Sequence, residues 1–80
     1  MKALVTGATG FLGGALIRRL HDMGWNATGL GRNPKKLNEL EDLGIFPLRV
    51  DISKKEQVFG AMKGQEIVFH CAAFPSPWGN

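Results

Sequence analysis

Residues 1–14 read MKALVTGATGFLGG. An apolar run, Ala3-Leu4-Val5, gives way to three glycines at intervals of three: Gly7, Gly10 and Gly13. Apolar residues at helical spacing follow at once. A glycine-rich turn between a strand and a helix is a site for a phosphate group. The first-turn amides of a helix lack intrahelical partners and carry partial positive charge, and a turn without side chains lets an anion reach them. In such an arrangement Gly7 makes the tight turn, Gly10 admits a pyrophosphate and Gly13 lets the helix lie close on the strand. Thr6 and Thr9 add hydroxyls nearby. The motif is not a P-loop, because no Gly-Lys-Ser/Thr closes it. Its T-G-x-x-G-x-x-G spacing also departs from G-x-G-x-x-G. The plainer reading, glycines that only mark turns, is weakened by their place at the start of a strand–helix unit.

The rest of the chain repeats that unit. Phe11 to Met23 reads as a helix with Leu12, Leu16, Leu20 and Met23 on its inner stripe, followed by Gly24 as a stop. Ala27 to Leu30 reads as a strand diluted by Gly29 and Gly31. Asn33 and Pro34 open a second helix as N-cap and first helical residue, with Leu37, Leu40 and Leu43 inward and Gly44 at its end. Ile45 to Val50 reads as a third strand. Ser53 and Glu56 have capping-box spacing before a third helix, with Val58, Phe59 and Met62 inward and Gly64 after it. Glu66 to Cys71 reads as a fourth strand, and AAFPSPWGN as loop. The order βαβαβαβ predicts an α/β fold with a parallel sheet, since parallel strands need long crossovers.

Eighty residues make one small domain, expected to bury about 60–65% of its unfolded surface. With 44% hydrophobic and 21% charged residues the composition is that of an ordinary soluble domain. A net charge of +3 without a basic block suits a small anionic ligand and argues against nucleic acid. One cysteine, Cys71, excludes an internal disulfide and a cysteine-rich metal site, and implies a reduced, cytoplasmic setting. No run is long and apolar enough for a membrane span or signal peptide. No metal site is expected.

Taken together, TGATGFLGG, GLGRNPKKL, VDIS and HCAA resemble the N-terminal part of an extended short-chain dehydrogenase/reductase. That superfamily includes the NAD-dependent epimerases/dehydratases, and CAAFPSPWGN is similar to its 3β-hydroxysteroid dehydrogenase/isomerase branch. The resemblance covers the whole chain. It implies a partial Rossmann fold with strand order 3-2-1-4 over residues 1–80, the first half of a nicotinamide dinucleotide-binding domain. Cofactor contacts are implied at Gly7, Thr9, Gly10, Phe11, Leu12 and Gly13.

The end of the second strand bears on which dinucleotide binds. An acidic residue there would bond the adenosine ribose and repel a 2′-phosphate. Here the residues are Leu30-Gly31-Arg32-Asn33. Arg32 can pair with a phosphate, and Lys35 or Lys36 adds charge, which favours NADP, with NAD as the alternative. The resemblance implies that Asp51 accepts from the adenine amine and Ile52 packs on its face, while Asp51 also suits the turn before the third helix. It carries Ala72 and Ala73 over as residues lining the ribose. His70 reads as structural or cofactor-lining rather than as an acid or base, and Cys71 as a packing residue. Phe74 and Trp78 suit either a substrate pocket or the cover of a sheet edge. His21 is expected to be solvated.

Hydride transfer at a carbonyl carbon needs a proton donor at the oxygen, which in this superfamily is the Tyr of Tyr-x-x-x-Lys. The chain contains no Tyr. No catalytic residue is therefore assigned. The residues read as the cofactor-binding portion of a longer oxidoreductase or epimerase, whose missing C-terminal part would cover the fourth strand. Without that cover the strand edge invites self-association. Two other readings remain: part of a non-catalytic NADP-sensing regulator, or a stand-alone nucleotide-binding mini-domain.

Overall fold

The computed structural model describes residues 1–51 and 53–71. Ile52 and the stretch from Ala72, including Ala73, Phe74 and Trp78, lie outside the described residues. Seven elements alternate: β1 (Lys2–Thr6), α1 (Phe11–Asp22), β2 (Asn26–Gly31), α2 (Pro34–Asp42), β3 (Phe46–Arg49), α3 (Lys55–Met62) and β4 (Ile67–His70). The strands form one parallel sheet in the expected order β3-β2-β1-β4. Ile45 and Val50, read as strand residues, flank β3 as buried residues.

Strand alternation sorts the core into two layers. Ala3, Val5 and Ala27 pack with Ile17 and Leu20 of α1 and Leu37 and Leu40 of α2. On the other face Leu4, Leu30 and Val50 pack with Val58 of α3. Helices thus cover both faces, as a parallel sheet requires. Gly24, Gly44 and Gly64 follow the three helices with φ of +86°, +90° and +79°, the left-handed values that a helix stop favours and side chains resist.

Three inner faces differ from the sequence reading. In α1 the buried positions are Gly13, Gly14, Ile17 and Leu20, while Leu12 and Met23 are 70% and 57% exposed. The reason is distance. A Cβ on Gly13 would lie 2.7 Å from the Gly7 carbonyl carbon, so the helix begins against bare backbone. That contact turns the face from Leu12 to Gly13, leaving Leu16 partly buried at its flank. Leu43 caps the C-terminus of α2 half-exposed, and Phe59 of α3 also faces outward.

The capping box at Ser53 and Glu56 does not form. Lys54 is the N-cap of α3, with no side-chain cap bond. Asp51 draws Ser53 away instead: its Oδ1 accepts both the Ser53 hydroxyl at 2.7 Å and the Ser53 amide at 3.0 Å. A carboxylate is the stronger acceptor and outcompetes a weaker local arrangement. Asn33 caps α2 as expected, its Oδ1 accepting from the amides of Lys35 and Lys36 at 3.0 and 3.2 Å, with Pro34 at the first helical position.

Candidate functional site

The C-terminal ends of the strands carry Gly7, Arg32 and Asp51 to one edge of the sheet, where open α/β sheets hold ligands. The β1–α1 turn is built first. Gly7 has φ of +70°, which a side chain would resist. Its carbonyl accepts from the Gly10 amide at 2.9 Å, closing the turn. The Ala8 amide donates to the Leu30 carbonyl at 2.9 Å, tying the turn to β2. Gly10 is the N-cap of α1 and has no side chain to offer, so the first-turn amides at Phe11, Leu12 and Gly13 have no side-chain cap. In α2, by contrast, Asn33 takes up two such amides.

This cradle fits a phosphate. A Cβ on Gly10 would come within 3.3 Å of the Gly7 carbonyl oxygen, and one on Gly13 would strike the same group. The bare turn and the close helix thus depend on the absence of those side chains. Phe11, 91% exposed, and Leu12 stand out at the rim. Beside the turn a cavity of about 320 Å³ opens towards α2. Thr9, Gly10, Phe11 and Lys36 line it, together with Arg18 and Glu39. The last two face each other across a loose 3.9 Å ion pair. Of the two lysines read as extra charge, Lys36 is the one that borders this cavity.

Arg32 is exposed just beyond β2. It is near enough to Asp51 for its charge to act there. The Asp51 carboxyl is held below its ordinary range, chiefly by the Ser53 hydroxyl and amide; desolvation opposes this, and the charges of Arg32 and Lys54 add to the lowering. Both Ser53 bonds fall on Oδ1. The Asp51 amide donates to Gln57 Oε1 at 3.2 Å, which joins this turn to α3.

Thr6 departs from its reading as a hydroxyl near the turn. It is fully buried. Its Oγ1 lies 3.4 Å from the Phe69 carbonyl, to which it donates, and 3.3 Å from His70 Nδ1. Thr6 and His70 are register partners across β1 and β4, so the pair joins the two strands at the site edge. Cys71 is half-buried against the core layer of α1 and α2, as a packing residue would be. His21 is half-buried rather than solvated, because its ring lies beside the Gly44 turn.

Two residues that the sequence reading treated only as weak points in a strand prove to shape the site. A Cβ on Gly29 would press on Ile17, Ala8 and Leu40, and one on Gly31 on Thr9. Glycines within a strand signal close approach of other groups, but the identity of those groups depends on the tertiary fold. Among the described residues no His, Cys, Asp and Glu side chains gather as a metal site, and no helix is long and apolar enough to cross a membrane.

Comparison with known proteins agrees with this geometry. The sequence profile of the NAD dependent epimerase/dehydratase family matches residues 3–80. A 2-alkyl-3-oxoalkanoate reductase of Shewanella oneidensis is 45% identical over 78 residues, 98% of this chain and 20% of the relative. A decarboxylating sterol-4-alpha-carboxylate 3-dehydrogenase of Dictyostelium discoideum is 33% identical over 72 residues, 90% of this chain and 22% of the relative. The chain therefore spans about a fifth of the length of these relatives. A short-chain dehydrogenase/reductase superfamily protein of Agrobacterium tumefaciens, solved with bound NAD, superposes with a TM-score of 0.72 at 26% identity, over 92% of this chain and 21% of that one. The strand order, the bare turn and the profile match lead to one conclusion: this chain belongs to the NAD dependent epimerase/dehydratase family and carries its Rossmann-type fold for a nicotinamide dinucleotide.

Proposed function

We propose that this chain holds the ADP part of NADP and serves as the cofactor-binding portion of an oxidoreductase or epimerase. The observation that carries this reading is the β1–α1 turn, closed by the Gly10 amide on the Gly7 carbonyl and followed by helix amides without a side-chain cap. In this reading Gly7, Thr9, Gly10, Phe11, Leu12 and Gly13 surround the pyrophosphate. Arg32 pairs with the 2′-phosphate, and Lys36 adds charge from the border of the adjoining cavity. Asp51 accepts from the adenine amine. Because Ser53 occupies only Oδ1, the second carboxylate oxygen is the one this role uses. Ile52, Ala72 and Ala73 complete the set on sequence grounds.

The nicotinamide ring of such a cofactor supplies the hydride chemistry. The residues in hand bind and orient; a proton donor of the Tyr-x-x-x-Lys kind is not among them, since the 80 residues contain no Tyr. The names of the relatives support a reductase or dehydrogenase as the whole protein. The alternative is a non-catalytic NADP sensor, and hydride turnover by the protein that carries this segment separates the two.

The test of the cofactor assignment is a pair of titrations, NADPH and NADH, followed by fluorescence in the parent and in Arg32→Asp. A charge-assisted pair contributes about 1.5–3 kcal/mol. Arg32→Asp should thus weaken NADPH by about 10- to 100-fold and leave NADH nearly unchanged. Equal losses for both would undo the 2′-phosphate assignment. Binding of neither dinucleotide by the parent would overturn the cofactor reading itself.

A further inference from the structure

We infer that Thr9 is a positioning residue for the cofactor turn, seated by its side chain on the bare backbone of Gly31. Gly31 ends β2 and is buried. Its φ is not among the positive values, so space rather than backbone conformation calls for glycine there. A Cβ on Gly31 would lie 2.8 Å from Thr9 Oγ1 and 3.2 Å from Thr9 Cβ, with Thr9 Cγ2 closer still. Turning the Thr9 side chain moves Oγ1 and Cγ2 but cannot clear the Cβ, which rotation leaves in place. A side chain at position 31 therefore still presses on the turn through the Thr9 Cβ, by the few tenths of an ångström that a 3.2 Å contact requires.

One residue earlier the Ala8 amide donates to the Leu30 carbonyl at 2.9 Å. The turn is thus attached to the end of β2 at two neighbouring points, one a hydrogen bond and the other a steric seat. The residue that follows Gly31 is Arg32. The seat accordingly sets the spacing between the phosphate-binding turn and the arginine. The consequence for binding rests on the cofactor reading above. A displaced turn meets the pyrophosphate poorly, and NADPH and NADH share that group. The two affinities should fall together, unlike the selective loss expected for Arg32→Asp.

The experiment is a double-mutant cycle in the protein that carries this segment: Gly31→Ala, Thr9→Gly and the pair. Thr9→Gly removes the Cβ together with its branches, so the pair has no side chain left at position 9 to collide. NADPH and NADH affinities are titrated for each, and the Phe11 amide NMR shift is recorded without cofactor. Gly31→Ala should weaken both dinucleotides about 10-fold and shift the amide. Thr9→Gly should weaken both severalfold and shift it as well. Adding Gly31→Ala to Thr9→Gly should cause no further loss. The inference is overturned if either single variant binds like the parent with an unshifted amide, or if the Gly31→Ala loss persists in the double variant. If Gly31→Ala does not fold, Thr9→Gly decides: an amide at the parent's shift overturns the inference. If the parent binds neither dinucleotide, the cofactor reading fails, and the Phe11 shift still reports whether the seat positions the turn.

Discussion

Gly13 and Gly60 both lie inside helices, and the same change to Ala should act oppositely at the two. In a helix taken alone Ala is favoured over Gly by about 1 kcal/mol at either place. At Gly60 an added Cβ meets nothing within 4 Å, so most of that gain should be realised. For a domain of this size about 0.5–1 kcal/mol corresponds to a rise in melting temperature of about 4 °C. At Gly13 the new Cβ would strike the Gly7 carbonyl and stand 3.1 Å from the Ala8 nitrogen. These are backbone atoms of a turn already bonded to β2, and they have no rotamer to escape into. Overpacking costs about 1–3 kcal/mol, and a rigid obstacle belongs at the upper end of that range. After subtraction of the propensity gain a net loss of about 2 kcal/mol remains, a fall in melting temperature of about 10 °C. The same displacement separates the α1 amides from the turn, so NADPH affinity should fall as well. Thermal melts by circular dichroism and a fluorescence titration measure both effects. A Gly13→Ala variant that melts at or above the parent and binds unchanged would refute the close-approach argument.

Other outcomes follow from the same geometry. Asn33→Ala removes the acceptor for the Lys35 and Lys36 amides and should cost about 1 kcal/mol in chemical denaturation; an unchanged midpoint would show that the cap contributes nothing. Because the Asp51 carboxyl is depressed in the folded chain, its contribution is fully present above the unfolded carboxylate value and is lost as pH falls through the lower folded value. Ser53→Ala removes the first-named cause, and the Asp51 carboxyl followed by NMR should titrate at higher pH; the same titration curve in both forms would refute the assignment. Among the described residues β4 pairs only with β1, so these 80 residues taken alone should self-associate through its outer edge at micromolar concentration, and a concentration-independent monomer in sedimentation would count against it.

Much of the architecture was legible in the sequence because it rests on local rules. Glycine after each helix, Pro34 behind Asn33, and apolar runs at strand length are short-range signals, and all of them recur in the structure. The strand order and the family followed from the resemblance that TGATGFLGG, GLGRNPKKL, VDIS and HCAA carry together. The departures arose where two local preferences competed. Ser53 had capping-box spacing to Glu56, yet the carboxylate of Asp51 lay two residues back and took both of its donors. The leucines of α1 formed an apolar stripe, yet the helix turned its glycines inward to reach the Gly7 carbonyl.

The sequence by itself determined the alternation of strands and helices, the helix stops, the uncapped glycine turn and the basic end of β2, since each follows from residues a few positions apart. Only the tertiary structure decided which side of each helix meets the sheet, that Thr6 turns to β4 and not to the turn, and that Gly31 carries Thr9. Those outcomes depend on surfaces brought together from distant parts of the chain. Thr6 and Phe69 are 63 residues apart, and no local pattern records the distance between them.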